Sequence, residues 1–81
     1  MIHPSGQAYT AIFEPSLEGG FVVSIPTLPG CISQGETFEE AKQNIQDALA
    51  GYLAVLKEDG DEIPTEFAEP IVTKVIAPDP A

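Results

Sequence analysis

Two stretches near the start of the chain alternate between apolar and polar positions. In residues 7–14, Tyr9, Ala11 and Phe13 share one face, and the same period of two recurs in residues 21–25. A period of two predicts β-strands, because successive side chains of a strand point to opposite faces. The connection between them, residues 15–20, is rich in turn-forming residues and favours an antiparallel hairpin.

A proline-rich and glycine-rich segment follows the second predicted strand. Pro26 and Pro29 have no N–H to donate to a sheet, so they predict a rigid turn that ends this strand. Between Gly30 and Gly35 there is room for a short third strand at about residues 31–34. The first three elements are therefore predicted to form an antiparallel meander.

The pattern then changes to the period of an amphipathic helix. Thr37 and Glu40 have the spacing of a capping box, in which Glu40 reaches back to the Thr37 amide. The helix is predicted to end near residue 58, before Asp59-Gly60. Gly51 is unfavourable inside a helix, and a close approach to the sheet would explain it. The apolar stripe comprises Ala41, Ile45, Ala48, Leu49, Tyr52, Leu53 and Leu56.

The last third of the chain contains an acidic connection, residues 61–70, and a β-branched stretch, residues 71–76. The stretch predicts a fourth strand, which a right-handed helical crossover would return parallel to the first. The fold class is therefore α+β in the order β-β-β-α-β. Residues 1–81 are expected to form one domain, with a loose leader at 1–6 and a loose tail at 77–81.

The net charge of the chain is the compositional feature that most restricts its possible partners. The 81 residues contain 13 acidic side chains, three lysines and no arginine, for a formal net charge of −10. Phosphate backbones and anionic membrane surfaces require basic residues, so neither is an expected partner. A basic protein is favoured, because opposite charges accelerate encounter. One cysteine excludes an internal disulfide, and the absence of a signal peptide or an apolar span makes the cytoplasm the expected location.

An ordered set of short motifs resembles the HicB-like antitoxin family. The set is Pro26, Leu28-Pro29-Gly30-Cys31, Gly35-Glu36-Thr37 and Glu39-Glu40-Ala41, extended by Tyr9, Asp59-Gly60 and Ile63-Pro64. The resemblance implies a truncated ribonuclease-H-like fold. It also implies an antitoxin that binds and masks a small, basic, RNA-cleaving toxin of the HicA type in a type II toxin–antitoxin system. Members of this family often carry a C-terminal DNA-binding domain, for which we expect no room in this chain.

Catalytic alternatives are weaker. Two-metal nuclease chemistry would need carboxylates from several elements, but no aspartate lies in the first predicted strand, and Glu39 and Glu40 are explained by the helix start. Cys31 and His3 could form a nucleophile–base pair, but no third orienting group is evident. The aromatic residues would stack on bases only in a positive groove, so core packing is the better explanation. We expect no catalytic residue, no metal and no cofactor.

One helix can cover only one face of a sheet, yet both faces carry apolar residues. The uncovered face and its loops are therefore the candidate partner-binding surface. Its predicted residues are Thr10, Ile12, Glu14, Glu18, Val22 and Glu36. An open face and an edge strand also predict a homo-oligomer, with a dimer as the expected form. The alternative function is an orphan HicB-like module, structural or ligand-binding, without a toxin partner.

Overall fold

A three-stranded antiparallel sheet and one helix make up the fold in the computed structural model, which describes residues 7–66 and 71–79. The strands are β1 (Ile12–Pro15), β2 (Phe21–Ser24) and β3 (Ile32–Gly35), and the helix is α1 (Phe38–Asp59). Their order in the sheet is β1-β2-β3. The α+β class, the meander and the long helix are confirmed.

The helix packs on one face of the sheet, mainly over β3 and β2. Val23, at the centre of β2, is fully buried, and it pairs with Phe13 on one side and Ser33 on the other. Odd-numbered strand residues therefore face the helix. The buried core contains Val23, Ile25, Leu28, Cys31, Ala41 and Ile45. Leu28 enters it from the turn that follows β2, where alternation gives no signal.

The start of α1 combines a cap with a close backbone contact. The Thr37 hydroxyl accepts a hydrogen bond from the Glu40 N–H at 3.0 Å, as the capping box predicts. The Glu40 carboxylate accepts from the N–H of Glu36 rather than from that of Thr37, which corrects the expected second bond. A Cβ on Gly35 would lie 2.3 Å from the Ala41 backbone nitrogen. Glycine at position 35 thus permits the helix to begin directly against β3.

The rest of the helix follows the predicted stripe, with one correction. Ala41 and Ile45 are buried, and the other members of the stripe are partly buried. Gly51 is exposed, and a Cβ there would meet nothing within 4 Å. The expected close approach of Gly51 to the sheet is therefore wrong. Gly60 ends the helix in the left-handed conformation, with φ of 76°.

Two strand predictions need correction. The first strand begins at Ile12 rather than at Gln7, because the preceding residues bond to the segment after the helix instead of to β2. Residues 71–76 do not form the expected fourth strand: residues 71–79 lie outside any helix or strand, and all of them are exposed. The β-branched composition of this stretch favours a strand, but within the described residues it pairs with no other strand of the chain. The predicted leader at 1–6 lies outside the described residues, as do residues 80 and 81 of the predicted tail.

Candidate functional site: an uncovered sheet face with an acidic groove

The even-numbered strand residues form the face of the sheet that α1 does not cover. The register places Glu14, Val22 and Gln34 in one row across the three strands. The neighbouring row contains Ile12, Ser24 and Ile32. Three of the six predicted partner-binding residues, Ile12, Glu14 and Val22, lie on this face, whereas Thr10 precedes β1.

This face exposes apolar side chains that would normally be buried. Val22 is 38% exposed and Ile32 is 59% exposed, whereas Val23, which faces the helix, is fully buried. Ile12 is half-buried beside them. Ile32 was not among the predicted residues. The alternation of residues 31–34 could have revealed it, because buried Cys31 forces Ile32 onto the opposite face.

An open groove of about 390 Å³ lies at one end of this face, beside the loop between β1 and β2. Glu18, Glu36 and Glu40 supply its charge, and Phe21 and Val22 supply its apolar part. Gly20 brings the loop against the end of β3, because a Cβ there would lie 2.4 Å from the Gly35 carbonyl oxygen. The structure therefore unites Val22, Glu18 and Glu36 in one groove. Its remaining lining residues, which the prediction missed, are Ser16, Gly19, Phe21, Gln34, Gly35, Glu40 and Asn44.

Glu14 and Thr10 have different surroundings. Glu14 is exposed on the strand face but does not line the groove. The Thr10 hydroxyl and backbone N–H both donate to the Glu66 carboxylate, at 3.0 and 2.7 Å. The hydrogen-bonding groups of Thr10 thus hold the segment after the helix, and no prediction from local pattern could connect residues so distant in sequence.

The contacts between residues 9–10 and residues 64–66 shift the pKa values of two side chains. The hydrogen bond from the Thr10 N–H, with those from the Thr27 and Thr10 hydroxyls, holds the pKa of Glu66 below its usual value despite some desolvation. The Tyr9 hydroxyl donates a hydrogen bond to the Pro64 carbonyl oxygen at 2.6 Å. Burial, followed by the nearby charge of Glu66, raises the pKa of Tyr9. Both shifts reflect a structural junction and do not create a general acid or base.

The catalytic candidates do not converge in the described part of the chain. Cys31 is buried in the core, and burial raises the pKa of its thiol, which disfavours the nucleophilic thiolate. His3 lies outside the described residues, as does Phe67, one of the six aromatic residues of the chain. Phe38 packs against Phe13, with ring centroids 4.5 Å apart, and against Phe21 at 6.4 Å, so these aromatic rings pack against one another. Across residues 7–66 and 71–79, no three His, Cys, Asp or Glu side chains form a group suited to hold a metal ion.

In the described ranges, no helix has both the length and the apolar character needed to cross a membrane. The described residues combine an α+β fold with an exposed apolar sheet face beside a groove lined by three glutamates. The profile of the family described as "HicB_like antitoxin of bacterial toxin-antitoxin system" matches residues 9–79. The chain belongs to this HicB-like antitoxin family.

Individual relatives agree with this assignment. The chain is 43% identical over 63 residues to "UPF0150 protein Ta0767" of Thermoplasma acidophilum, covering 78% of this chain and 91% of the relative. It is 41% identical over 56 residues to "Antitoxin HicB 1" of Photorhabdus laumondii, covering 69% of this chain and 36% of that protein. It is 38% identical over 56 residues to "Antitoxin HicB" of Escherichia coli, covering 69% of this chain and 41% of that protein. The chain thus spans well under half of these two antitoxins.

Proposed function

We propose that this chain acts as an antitoxin that binds and masks a small, basic, RNA-cleaving toxin of the HicA type in a type II system. Family membership supports an antitoxin role, which is a binding role rather than an enzymatic one. The observation that carries the proposal is the juxtaposition of exposed Val22 and Ile32 with the groove that contains Glu18 and Glu36.

This juxtaposition would complement a basic protein surface of the kind that binds RNA. A protein that holds RNA presents basic side chains to phosphates, and carboxylates at the groove would occupy those positions. Carboxylates alone make weak, salt-sensitive surface pairs. Burial of Val22 and Ile32 supplies the non-directional component that slows dissociation. Charge would thus bring the partners together, and the apolar face would keep them together.

The remaining parts of the proposal concern the location, nucleic acids, the type of fold and the contact residues. The chain is proposed to work in the cytoplasm, and its net charge of −10 without arginine disfavours direct contact with duplex DNA or RNA. We also propose that the meander and helix correspond to a truncated ribonuclease-H-like arrangement that has kept the scaffold without the metal chemistry. The six predicted residues remain the proposed contact set, with Ile32 and Glu40 added from the structure.

A matched pair of valine substitutions tests the proposed surface. Val22→Lys places a positive charge on the uncovered sheet face, whereas Val55→Lys places the same charge on α1, where Val55 is 56% exposed. The full chain is co-expressed with the basic protein encoded by the adjacent gene, and co-purification and RNA cleavage are measured. We expect Val22→Lys to lose co-purification and to release cleavage, and Val55→Lys to behave as the unmodified chain.

Two outcomes would contradict the proposal. One is an unmodified chain that neither co-purifies with the neighbouring basic protein nor suppresses its RNA cleavage. The other is equal loss of binding in Val22→Lys and Val55→Lys while both retain the helical circular-dichroism signal, which would move the contact away from the sheet face.

The second candidate function is a homo-oligomeric HicB-like module without a toxin. The exposed β-branched stretch at residues 71–76 favours it, because such a stretch is suited to association with another chain. Absence of any neighbouring gene for a small basic protein, together with a stable oligomer of this chain alone, would favour this candidate over the first.

A further inference from the structure

Four large apolar side chains after the helix have no cover. Ile71, Val72, Val75 and Ile76 are 91%, 63%, 89% and 93% exposed. They lie within six consecutive residues whose only charged member is Lys74. β-Branched residues at this density favour a strand that is half-buried on a sheet. The stretch therefore has the composition of a strand and, within the described residues, none of the contacts of one.

The outer edge of β1 is open. Ser16 N–H donates to the Gly20 carbonyl at 2.9 Å, so even-numbered residues on this side of the hairpin direct their backbone groups toward β2. The backbone groups of Phe13, and of Ala11 just before the strand, consequently point outward. Among residues 7–66 and 71–79, no hydrogen bond to these outward groups is formed. Pro15 occupies an outward position where its missing N–H is harmless.

The opposite edge, formed by β3, is partly closed. The Ile25 N–H donates to the Cys31 carbonyl at 3.0 Å, which directs the backbone groups of Gln34 outward. The Asn44 side chain of α1 donates to the Gln34 carbonyl at 2.7 Å. The next outward group, the N–H of Glu36, donates to the Glu40 carboxylate. The helix thus caps the β3 edge with two of its own side chains, and the β1 edge receives no such cap from the described residues.

We propose that residues 71–76 of one copy add as a strand to the β1 edge of a second copy, reciprocally, so that two chains exchange their C-terminal stretches. This proposal does not rest on the existence of a toxin. The exchange would satisfy the outward backbone groups of Phe13 and Ala11 and would place Ile71 and Val75 on the face of the sheet that carries Phe13. A two-fold arrangement makes both exchanges identical, as in most dimers of identical chains.

Charge complementarity supports a second copy of this chain as the partner and indicates the register of the added strand on β1. Lys74 is the only cation after the helix, and Glu14 is the only charged residue of β1. On an added strand, Lys74 shares a face with Val72 and Ile76, as Glu14 shares one with Ile12. Placing Lys74 beside Glu14 therefore extends the uncovered face with apolar residues and pairs opposite charges across the strands.

A charge exchange between two variants tests whether the pairing is between copies. Lys74→Glu and Glu14→Lys each place like charges at both contacts of a homodimer. Mixed in equal amounts, they form a heterodimer in which every contact again joins opposite charges. By sedimentation velocity, we expect the unmodified chain to be a dimer of about 17 kDa, twice 8.6 kDa. We expect each variant alone to dimerise roughly tenfold more weakly, and the mixture to recover.

The control is Glu58→Lys, which makes the same charge change at an exposed residue near the end of α1. Glu58→Lys should dimerise normally and should rescue Lys74→Glu less than Glu14→Lys does, because one of the two contacts still joins like charges. Either a monomeric unmodified chain at tens of micromolar or a mixture that recovers no dimer overturns the exchange. If residues 71–76 paired with β1 of the same chain, the measured mass would be that of a monomer. If a toxin were the natural occupant of the β1 edge, the charge variants would not differ in dimerisation.

A proline pair tests the backbone bonds separately. With Lys74 beside Glu14, the Val72 N–H points to the β1 edge in a parallel pairing and the Val75 N–H does so in an antiparallel one. We expect only one of Val72→Pro and Val75→Pro to weaken the dimer, at least tenfold, since proline removes the N–H. Equal behaviour of the two variants overturns strand addition.

Discussion

The Glu66 carboxylate accepts two hydrogen bonds from Thr10, one from the backbone N–H at 2.7 Å and one from the hydroxyl at 3.0 Å. Thr27, in the turn after β2, donates a third at 3.0 Å. Three parts of the chain therefore meet at one carboxylate. This junction sets where the segment after the helix leaves the sheet, beside the beginning of β1.

Glu66→Gln should lower stability at neutral pH and have less effect in acid. The folded-state pKa of Glu66 is depressed, so the ionised carboxylate contributes stability above its unfolded pKa, and that stability is lost as the pH falls through the folded pKa. Urea denaturation at pH 7 and pH 3 measures the difference. Glu62→Gln, at an exposed position, is the matched control. An equal loss at both pH values would show that ionisation of Glu66 is irrelevant.

Thr37→Ala should destabilise the protein by about 1 kcal/mol, because the Glu40 N–H loses its side-chain acceptor. Thr37→Ser retains a hydroxyl at this position and should restore most of the loss. Urea midpoints of the three proteins provide the comparison. An unchanged midpoint for Thr37→Ala would mean that the cap contributes nothing to folding.

Two glycine-to-alanine changes should have opposite signs. Gly35→Ala forces a Cβ to 2.3 Å from the Ala41 backbone nitrogen, so the helix must move, at a cost of about 1–3 kcal/mol or more. Gly51→Ala places a methyl group in open space within the helix and should stabilise by up to about 1 kcal/mol. Thermal unfolding of both variants measures the contrast. Destabilisation by Gly51→Ala would place an undetected contact at that residue.

Replacing Glu14, Glu18 and Glu36 by glutamine should slow association with a basic toxin while leaving the fold intact. Steering by these carboxylates is screened over about 8 Å at physiological ionic strength, so the association rate of the unmodified chain should also fall as salt rises. Dissociation should change less with salt, because apolar contacts such as Val22 govern it. Stopped-flow mixing at several salt concentrations gives both rates.

The control for this triple variant removes the same charge at the far end of α1 and just after it, through Glu58→Gln, Asp59→Asn and Glu62→Gln. The rise of about 1.5 Å per residue places Glu58 and Asp59 roughly 20 to 30 Å from Asn44 and Glu40, the residues of α1 that line the groove. If both triple variants slowed association equally, net charge alone would explain the effect, and a localised acidic contact would be contradicted.

Several features could be predicted because each depends on neighbours in sequence. The helix from 38 to 59 follows from Thr37, an apolar stripe of period 3.6 and Gly60, and its predicted bounds are nearly those observed. The meander follows from alternation and turn residues. The uncovered apolar face also follows, since one helix cannot cover both faces, and the predicted Ile12 and Val22 lie on it. The contribution of these residues to partner binding stays a prediction.

Long-range contacts decided the rest. Local pattern could not reveal that Glu66 bonds to Thr10, that Gly35 rather than Gly51 lies against backbone, or that Leu28 fills the core from a turn. The fourth strand shows the reason most clearly. The composition of residues 71–76 favours a strand, but a strand forms only when the edge of a sheet accepts its hydrogen bonds. Which edge does so is a property of tertiary and quaternary structure, because the backbone groups that meet belong to residues far apart in sequence or to different chains.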